Sequence, residues 1–136
     1  MRTWLEEQRQ LKHSINGAVC VVEGDPGIRK SLYMLLATLG VSVVTFSTAE
    51  DFLAWVNAER PGFLITELEL PGEGGFELKR ALDERGIRVP VLGLTGEVNQ
   101  NNTREASRLG FLELIEKPFV YWSVVERVQQ TLETAR

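Results

Sequence analysis

The sequence has few of the residues that several protein classes depend on. Its 136 residues include one cysteine, Cys20, and one histidine, His13. A lone cysteine cannot form an internal disulfide, and the apolar run around Cys20 indicates a thiol packed in a strand. His13 lies outside the regular pattern of the chain, which makes it a poor candidate for catalysis or phosphotransfer. The sequence therefore excludes a fold held together by internal disulfides.

Long apolar runs and clusters of positive charge are also missing. No run approaches the roughly 20 apolar residues of a membrane span, and no apolar stretch typical of a secretory signal opens the chain. The formal net charge is −4. Because no Lys/Arg cluster forms a phosphate-binding stripe, direct binding of nucleic acid is disfavoured. We expect a cytoplasmic protein that contacts neither a membrane nor nucleic acid directly.

What is present indicates one α/β domain. Hydrophobic residues make up 43% of the chain and charged residues 25%, enough for one sizeable core. Apolar runs alternate with helical patterns, which is typical of βαβ units on a parallel sheet. The strands are predicted at residues 18–22, 41–46, 63–67, 89–94 and 112–115. The helices are predicted at about 27–39, 49–56, 76–84, 98–109 and 120–132. Right-handed crossovers then give a doubly wound, five-stranded parallel sheet in a three-layer αβα sandwich.

Polar residues follow four of the predicted strands at the point where each strand ends. They are Glu23, Glu67, Thr95 and Lys117. In doubly wound sheets, ligands bind at the carboxyl ends of the strands. The sequence therefore predicts that these four side chains converge on one site.

Residues 1–17 lie outside this pattern and are treated as an N-terminal extension of the domain at 18–136. Trp4, Leu11 and Ile15 fall on one face at helical spacing, with charged residues between them. Two interpretations stay open for this extension. It is either a frayed leader or a helix that docks or dimerises.

Five motifs carry a resemblance to a known family. They stand in the order VVEGDPGIR at residues 21–29, STAEDFL at 47–53, LPGEGGFEL at 70–78, LTG at 94–96 and KPF at 117–119. With these motifs, residues 18–133 resemble the receiver domains of two-component response regulators, and in particular the nitrogen-fixation and nodulation regulators. The resemblance implies a flavodoxin-like (βα)5 fold.

The resemblance also implies roles for the residues at the strand ends. A working receiver has two acids after strand 1 and a phospho-accepting Asp at the end of strand 3. In this sequence the two acid positions are occupied by Glu23 and Gly24, and the acceptor position by Glu67. The acids hold a divalent cation, and a hard Mg²⁺ requires oxygen ligands in octahedral geometry. Thr95 and Lys117 match the residues that recognise the bound phosphoryl group.

Two of these positions depart from the family pattern. Gly24 supplies no carboxylate, and Glu67 carries its carboxylate roughly 1.5 Å further out than Asp would. We expect no cofactor, no catalysis, and at best weak binding of a metal through Glu23 and Glu67. Glu67 is either a tolerated polar strand end or a partial imitation of phospho-aspartate that reaches toward Lys117 and Thr95. The imitation would supply a charge of about −1, whereas a phosphoryl group carries about −1.5 to −2.

The face formed by helix 4, strand 5 and helix 5 carries further candidates. Leu114 stands where active receivers have a switch aromatic, and we expect it simply to pack. The start of helix 4 is expected to be loose because Asn is a poor helix former. Tyr121 and Trp122 open the last helix where polar residues are expected, which predicts an interface with a protein partner or a second copy. Alternatively, Trp122 packs beneath the N-terminal extension, on Trp4.

The interpretation that follows is a phosphorylation-independent receiver, a signalling module that binds proteins and is not an enzyme. One alternative is a genuine phospho-accepting receiver with unusual ligands. Another is the regulatory half of a larger DNA-binding transcriptional regulator. A flavin-binding domain is disfavoured because no Ser/Thr/Gly-rich phosphate loop follows strand 1.

Overall fold

Five parallel strands form one sheet in the order β2-β1-β3-β4-β5 in the computed structural model, which describes Thr3 and residues 17–134. The strands are β1 Ala18–Val22, β2 Val43–Phe46, β3 Pro61–Glu67, β4 Val91–Thr95 and β5 Glu113–Glu116. The helices are α1 Pro26–Ala37, α2 Ala49–Trp55, α3 Gly75–Glu84, α4 Gln100–Arg108 and α5 Tyr121–Thr134. The predicted doubly wound α/β fold is confirmed.

The strand boundaries differ from the predicted ones by up to two residues. β3 begins at Pro61, two residues earlier than predicted, because proline is tolerated as the first residue of a strand. β2 and β4 begin two residues later than predicted, at Val43 and Val91. The carboxyl ends, which position the site, move by at most one residue.

Two hydrophobic clusters lie on the two faces of the sheet. Every residue of β1 is buried, with Val19 and Val21 in one cluster and Cys20 and Val22 in the other. This burial on both faces explains why β1 is a continuous apolar run. On α5, three valines at helical spacing are fully buried: Val124, Val125 and Val128. Burial also raises the pKa of the Cys20 thiol to about 12, as expected of a packed and unreactive cysteine.

Side chains cap backbone N–H groups at the starts of α1, α2 and α4. Asp25 caps α1 by accepting hydrogen bonds from Gly27 N and Ile28 N at 2.8 and 3.1 Å. At α4, Asn99 and Asn102 each accept the other's backbone N–H at 2.9 Å. The predicted loose start of α4 is therefore wrong. Asparagine is a poor residue within a helix but a good one at its cap, and the prediction counted only the former.

The predictions for the N-terminal extension, with Trp4, His13 and Ile15, lie outside the described residues. Within residues 17–134, no helix is long and apolar enough to span a membrane.

Candidate functional site

The carboxyl ends of β1, β3 and β5 bring three charged side chains together. The Lys117 ammonium lies 2.7 Å from Glu23 Oε1 and 3.2 Å from Glu67 Oε1. Glu23 is fully buried, while the side chains of Glu67 and Lys117 are 17% and 19% exposed. Lys117 thus bridges two carboxylates in a largely desolvated position, where charges interact more strongly than on an exposed surface.

Glu23 has an unusual electrostatic environment. Its Oε1 accepts hydrogen bonds from Lys117 Nζ and, at 3.4 Å, from Asp25 N. Its Oε2 is buried and has no hydrogen-bond partner among the described residues. Burial raises the pKa of Glu23 to about 7; the charge of Glu67 adds to this effect, and Lys117 opposes it. Glu23 is therefore a buried acid that holds a proton more readily than an exposed glutamate.

The same two carboxylates also determine the pKa of Lys117. Burial by itself would lower the pKa of Lys117, because it penalises the charged ammonium. Hydrogen bonds and charges from Glu23 and Glu67 outweigh burial and raise that pKa. The ammonium is therefore the stable form of Lys117 at neutral pH.

Glu67 uses its extra length to span from β3 to the residue that follows Glu23. While Oε1 faces Lys117, Oε2 accepts a hydrogen bond from Gly24 N at 3.1 Å. Gly24 thus contributes a backbone donor to the site instead of a carboxylate. A Cβ at position 24 would lie 3.7 Å from Glu67 Oε2, an ordinary van der Waals distance. A Cβ is therefore accommodated at position 24 without a clash.

The residues at the strand ends do not fit the magnesium ion that the resemblance implies. Magnesium requires several oxygen ligands at about 2.0–2.1 Å, and here the two available carboxylates are bridged by an ammonium. Asp25, the next acid along the chain, uses its side chain to cap α1. Among residues 17–134 no group of three or more His, Cys, Asp or Glu is placed to hold a metal.

Thr95 does not meet Glu67 in the way the sequence suggested. Its buried hydroxyl donates a hydrogen bond to Oε1 of Glu69, and Gly96 N donates to the same oxygen at 3.3 Å. Sequence reasoning missed Glu69. The sequence signal was limited to two acids in the loop between β3 and α3, Glu69 and Glu73, without an indication of which one reaches Thr95.

The face formed by α4, β5 and α5 is rich in exposed apolar side chains. The large hydrophobic residues there and their exposures are Val98 39%, Leu112 52%, Val120 72% and Trp122 50%. Tyr121 differs from the sequence expectation, because it is half buried and packs edge-on against Phe119 at 5.2 Å between ring centroids. Trp122 is thus exposed, whereas its neighbour belongs to the edge of the core.

Leu114 packs on the sheet at the position of the switch aromatic. It pairs with Gly93 across β4 and β5 and contacts the cluster that contains Phe111. A Cβ at Gly93 would come within 2.6 Å of Leu114 Cδ2. Gly93 therefore makes room for Leu114, which fixes the leucine side chain against the strand.

Comparisons with known proteins agree with this fold. A family model described as the response regulator receiver domain matches residues 19–129. The transcriptional regulatory protein FixJ of Rhizobium meliloti is 34% identical over 115 residues, which are 85% of this chain and 56% of that protein. The C4-dicarboxylate transport transcriptional regulatory protein DctD of Pseudomonas aeruginosa is 30% identical over 87% of this chain but only 26% of its own length. The chain thus spans about half, or less, of these relatives.

Solved structures give the same result. The crystal structure of FixJ-N aligns with a TM-score of 0.76 at 33% identity and covers 87% of this chain and 94% of that one. The BeF3-activated DrrB receiver domain aligns with a TM-score of 0.77 at 28% identity, covering 86% of this chain and 97% of that one.

Proposed function

The chain belongs to the response regulator receiver domain family, and we propose that within it this protein is a phosphorylation-independent receiver. It acts as a protein-binding module of two-component signalling and not as an enzyme. The observation that carries the proposal is the Lys117 ammonium, which bridges Glu23 and Glu67 where a working receiver needs a divalent cation. Gly24, which supplies no carboxylate for a cation, further supports the proposal.

Phosphoryl transfer to a carboxylate requires that negative charge be neutralised on both reactants. A bound metal ion does this when several oxygen ligands hold it in a fixed geometry. Here the two carboxylates are neutralised by Lys117, and Glu67 is further engaged by Gly24 N. A nucleophile held by an ammonium and an amide, with no third ligand group beside it, is poorly placed to attack a phosphoryl donor.

A magnesium titration with a small-molecule phosphoryl donor, read by intact mass, tests the proposal. We expect the wild-type mass to stay unchanged at every magnesium concentration. The matched control is an established phospho-accepting receiver treated in parallel, which shows that the donor is active. A wild-type species heavier by one phosphoryl group would instead support the alternative of a genuine phospho-accepting receiver. The retained Thr95 and Lys117 are consistent with that alternative.

We further propose that the module binds a second copy or another protein through the face formed by α4, β5 and α5. Exposed apolar side chains are typical of interaction surfaces, and Val120 and Trp122, at the start of α5, are 72% and 50% exposed. The double change Val120→Ser with Trp122→Ser should weaken association and leave the fold intact. Tyr121 is kept because it packs on Phe119. Equal sedimentation of the two proteins at all concentrations would contradict self-association.

The lengths of the relatives favour a second candidate, the regulatory half of a larger transcriptional regulator. The chain spans 56% of FixJ, which is named a transcriptional regulatory protein. Detection of the protein in its native cells by immunoblotting would decide this point. A native polypeptide of about this chain's mass, 15.3 kDa, would reject the candidate.

A further inference from the structure

We propose that Glu69 is a built-in anion that holds the β4–α4 loop, residues 96–99, in place of a bound phosphoryl group. The proposal deepens the proposed function and rests on it, because a permanently held loop has a role only if no phosphoryl group arrives. In this proposal, the carboxylate of Glu69 in the β3–α3 loop fixes the conformation of the loop that leads into α4.

The contacts of Glu69 are with the hydroxyl and the amide at the end of β4. Thr95 Oγ1 donates to Glu69 Oε1, and Gly96 N donates to the same oxygen at 3.3 Å. The resemblance gives Thr95 the task of recognising a phosphoryl oxygen, and here its hydroxyl is already used by a carboxylate oxygen. Hydrogen bonds to a carboxylate are stronger than those between neutral groups.

Hydrogen bonds hold every residue of the β4–α4 loop. Thr95 Oγ1 accepts from Glu97 N at 3.3 Å, and Asn102 Nδ2 donates to Glu97 O at 2.6 Å. Glu116 Oε1, at the end of β5, accepts from Val98 N at 2.7 Å. Thr95 links Glu69 to this set, because its hydroxyl donates to Glu69 and accepts from Glu97 N, so the two bonds at Thr95 support each other.

Packing contributes little to holding the first residue of the loop. A Cβ built at Gly96 would meet nothing within 4 Å, so open space surrounds this position. The Gly96 backbone is therefore fixed by hydrogen bonding, and the Glu69 carboxylate accepts its N–H. Loss of that carboxylate should release Gly96 first and Glu97 next.

Glu67 and Glu69 together bond to the two side chains that the resemblance assigns to phosphoryl recognition, Lys117 and Thr95. Glu67 takes Lys117 Nζ and Gly24 N, and Glu69 takes the Thr95 hydroxyl and Gly96 N. Their combined formal charge of about −2 equals the upper end of the −1.5 to −2 that a phosphoryl group carries. One glutamate alone supplies about half of this charge.

Loop order matters because the loop leads directly to the apolar face. Val98 lies within it and is 39% exposed, close to Leu112 on the same side of the molecule. A loop fixed by Glu69 keeps Val98 and the start of α4 in one arrangement. The surface proposed to bind a partner is then formed without phosphorylation.

Amide exchange with water, measured by NMR on the full chain, tests the role of Glu69. Glu69→Ala should speed the exchange of the Gly96 and Glu97 amides about fivefold, the size expected for the loss of one net hydrogen bond. Glu69→Asp, one methylene shorter, should behave like the alanine variant. Glu69→Gln keeps an acceptor oxygen without the charge and should give a smaller increase.

Glu73→Ala is the matched control, because it removes the same charge from the same β3–α3 loop, where Glu73 is exposed. We expect wild-type exchange at Gly96 and Glu97 in this control. The β4 amides should stay protected in all variants, which shows that the domain remains folded. Equal exchange in Glu69→Ala and Glu73→Ala would overturn the proposal.

The experiment contains no phosphoryl donor, so it is independent of the mass measurement above. A phosphorylated wild-type protein overturns the proposed function and leaves unchanged the question of whether Glu69 holds the loop. Unchanged exchange in Glu69→Ala overturns this inference alone.

Discussion

The ends of β1 and β3 differ from the ends of β4 and β5 in how far they depart from the receiver pattern. At β1 and β3, Gly24 replaces a carboxylate and Glu67 stands in the acceptor position. At β4 and β5, Thr95 and Lys117 keep the side chains that the pattern requires. Yet both retained residues bond to glutamates of the same chain. A residue type can thus be retained at a position while its hydrogen-bond or ion-pair partner differs.

The two halves of the site also differ in how much their interactions contribute to stability. Lys117 compensates a fully buried acid and a partly buried one, so its loss should be costly. Thr95 instead bonds to the exposed Glu69, whose carboxylate can return to water. The two halves of the site should therefore respond very differently to substitution.

The largest expected effect is that of Lys117→Met. This change leaves Glu23 and Glu67 facing each other without a cation, which should lower the free energy of unfolding by about 3 kcal/mol. The expected loss is at the low end for a broken buried ion pair, because Lys117 is partly exposed. Urea denaturation measures it. Lys30→Met on the exposed face of α1 makes the same change of charge and should cost under about 1 kcal/mol. Equal losses would contradict the bridging role.

The next effect is a dependence of stability on pH that originates at Glu23. Its pKa is raised from 4.5 to about 7 in the folded protein, so between these values the native state binds more protons than the unfolded state. Stability should therefore fall as the pH rises from about 5 to about 7 and then level off. Glu23→Gln removes the titrating group, and urea midpoints across this range should lose that part of the slope. Parallel curves for the two proteins would show that Glu23 does not titrate there.

The smallest effect is expected for Thr95→Val. It removes the hydroxyl that serves Glu69 and Glu97 N, at a cost of about 1 kcal/mol, because both groups are exposed and can bond to water. Thr103→Val on the exposed side of α4 is the control. A loss as large as that of Lys117→Met would remove the contrast between the two halves of the site.

Much of the fold could be predicted because its signals are local. The fully buried β1 and β4 are apolar runs, and Val124, Val125 and Val128 lie at helical spacing. The start of α4 was wrong because the role of Asn99 depends on whether it lies inside the helix or at its cap. A propensity averaged over the segment cannot distinguish these positions.

The convergence of Glu23, Glu67 and Lys117 was predictable, whereas the partner of Thr95 was not. Parallel strands bring their carboxyl ends to one edge of the sheet, which is a property of the topology. Glu69 and Glu73 stand in the same loop, and nothing in their spacing tells which one reaches Thr95. The loop conformation decides this, and a hydrogen bond from Gly75 N to Leu68 O at 3.0 Å joins the two ends of the loop that contains both acids.

The central claim is that two changes in one coordination unit, Gly24 and Glu67, abolish phosphorylation. The direct test is the intact mass of four proteins after treatment with a phosphoryl donor and Mg²⁺: wild type, Gly24→Asp, Glu67→Asp and the double variant. A Cβ at position 24 meets no clash, and the double change is designed to add the missing carboxylate and shorten the acceptor together. We predict that only the double variant gains a phosphoryl group, a non-additive result. A phosphorylated wild-type protein would contradict the account.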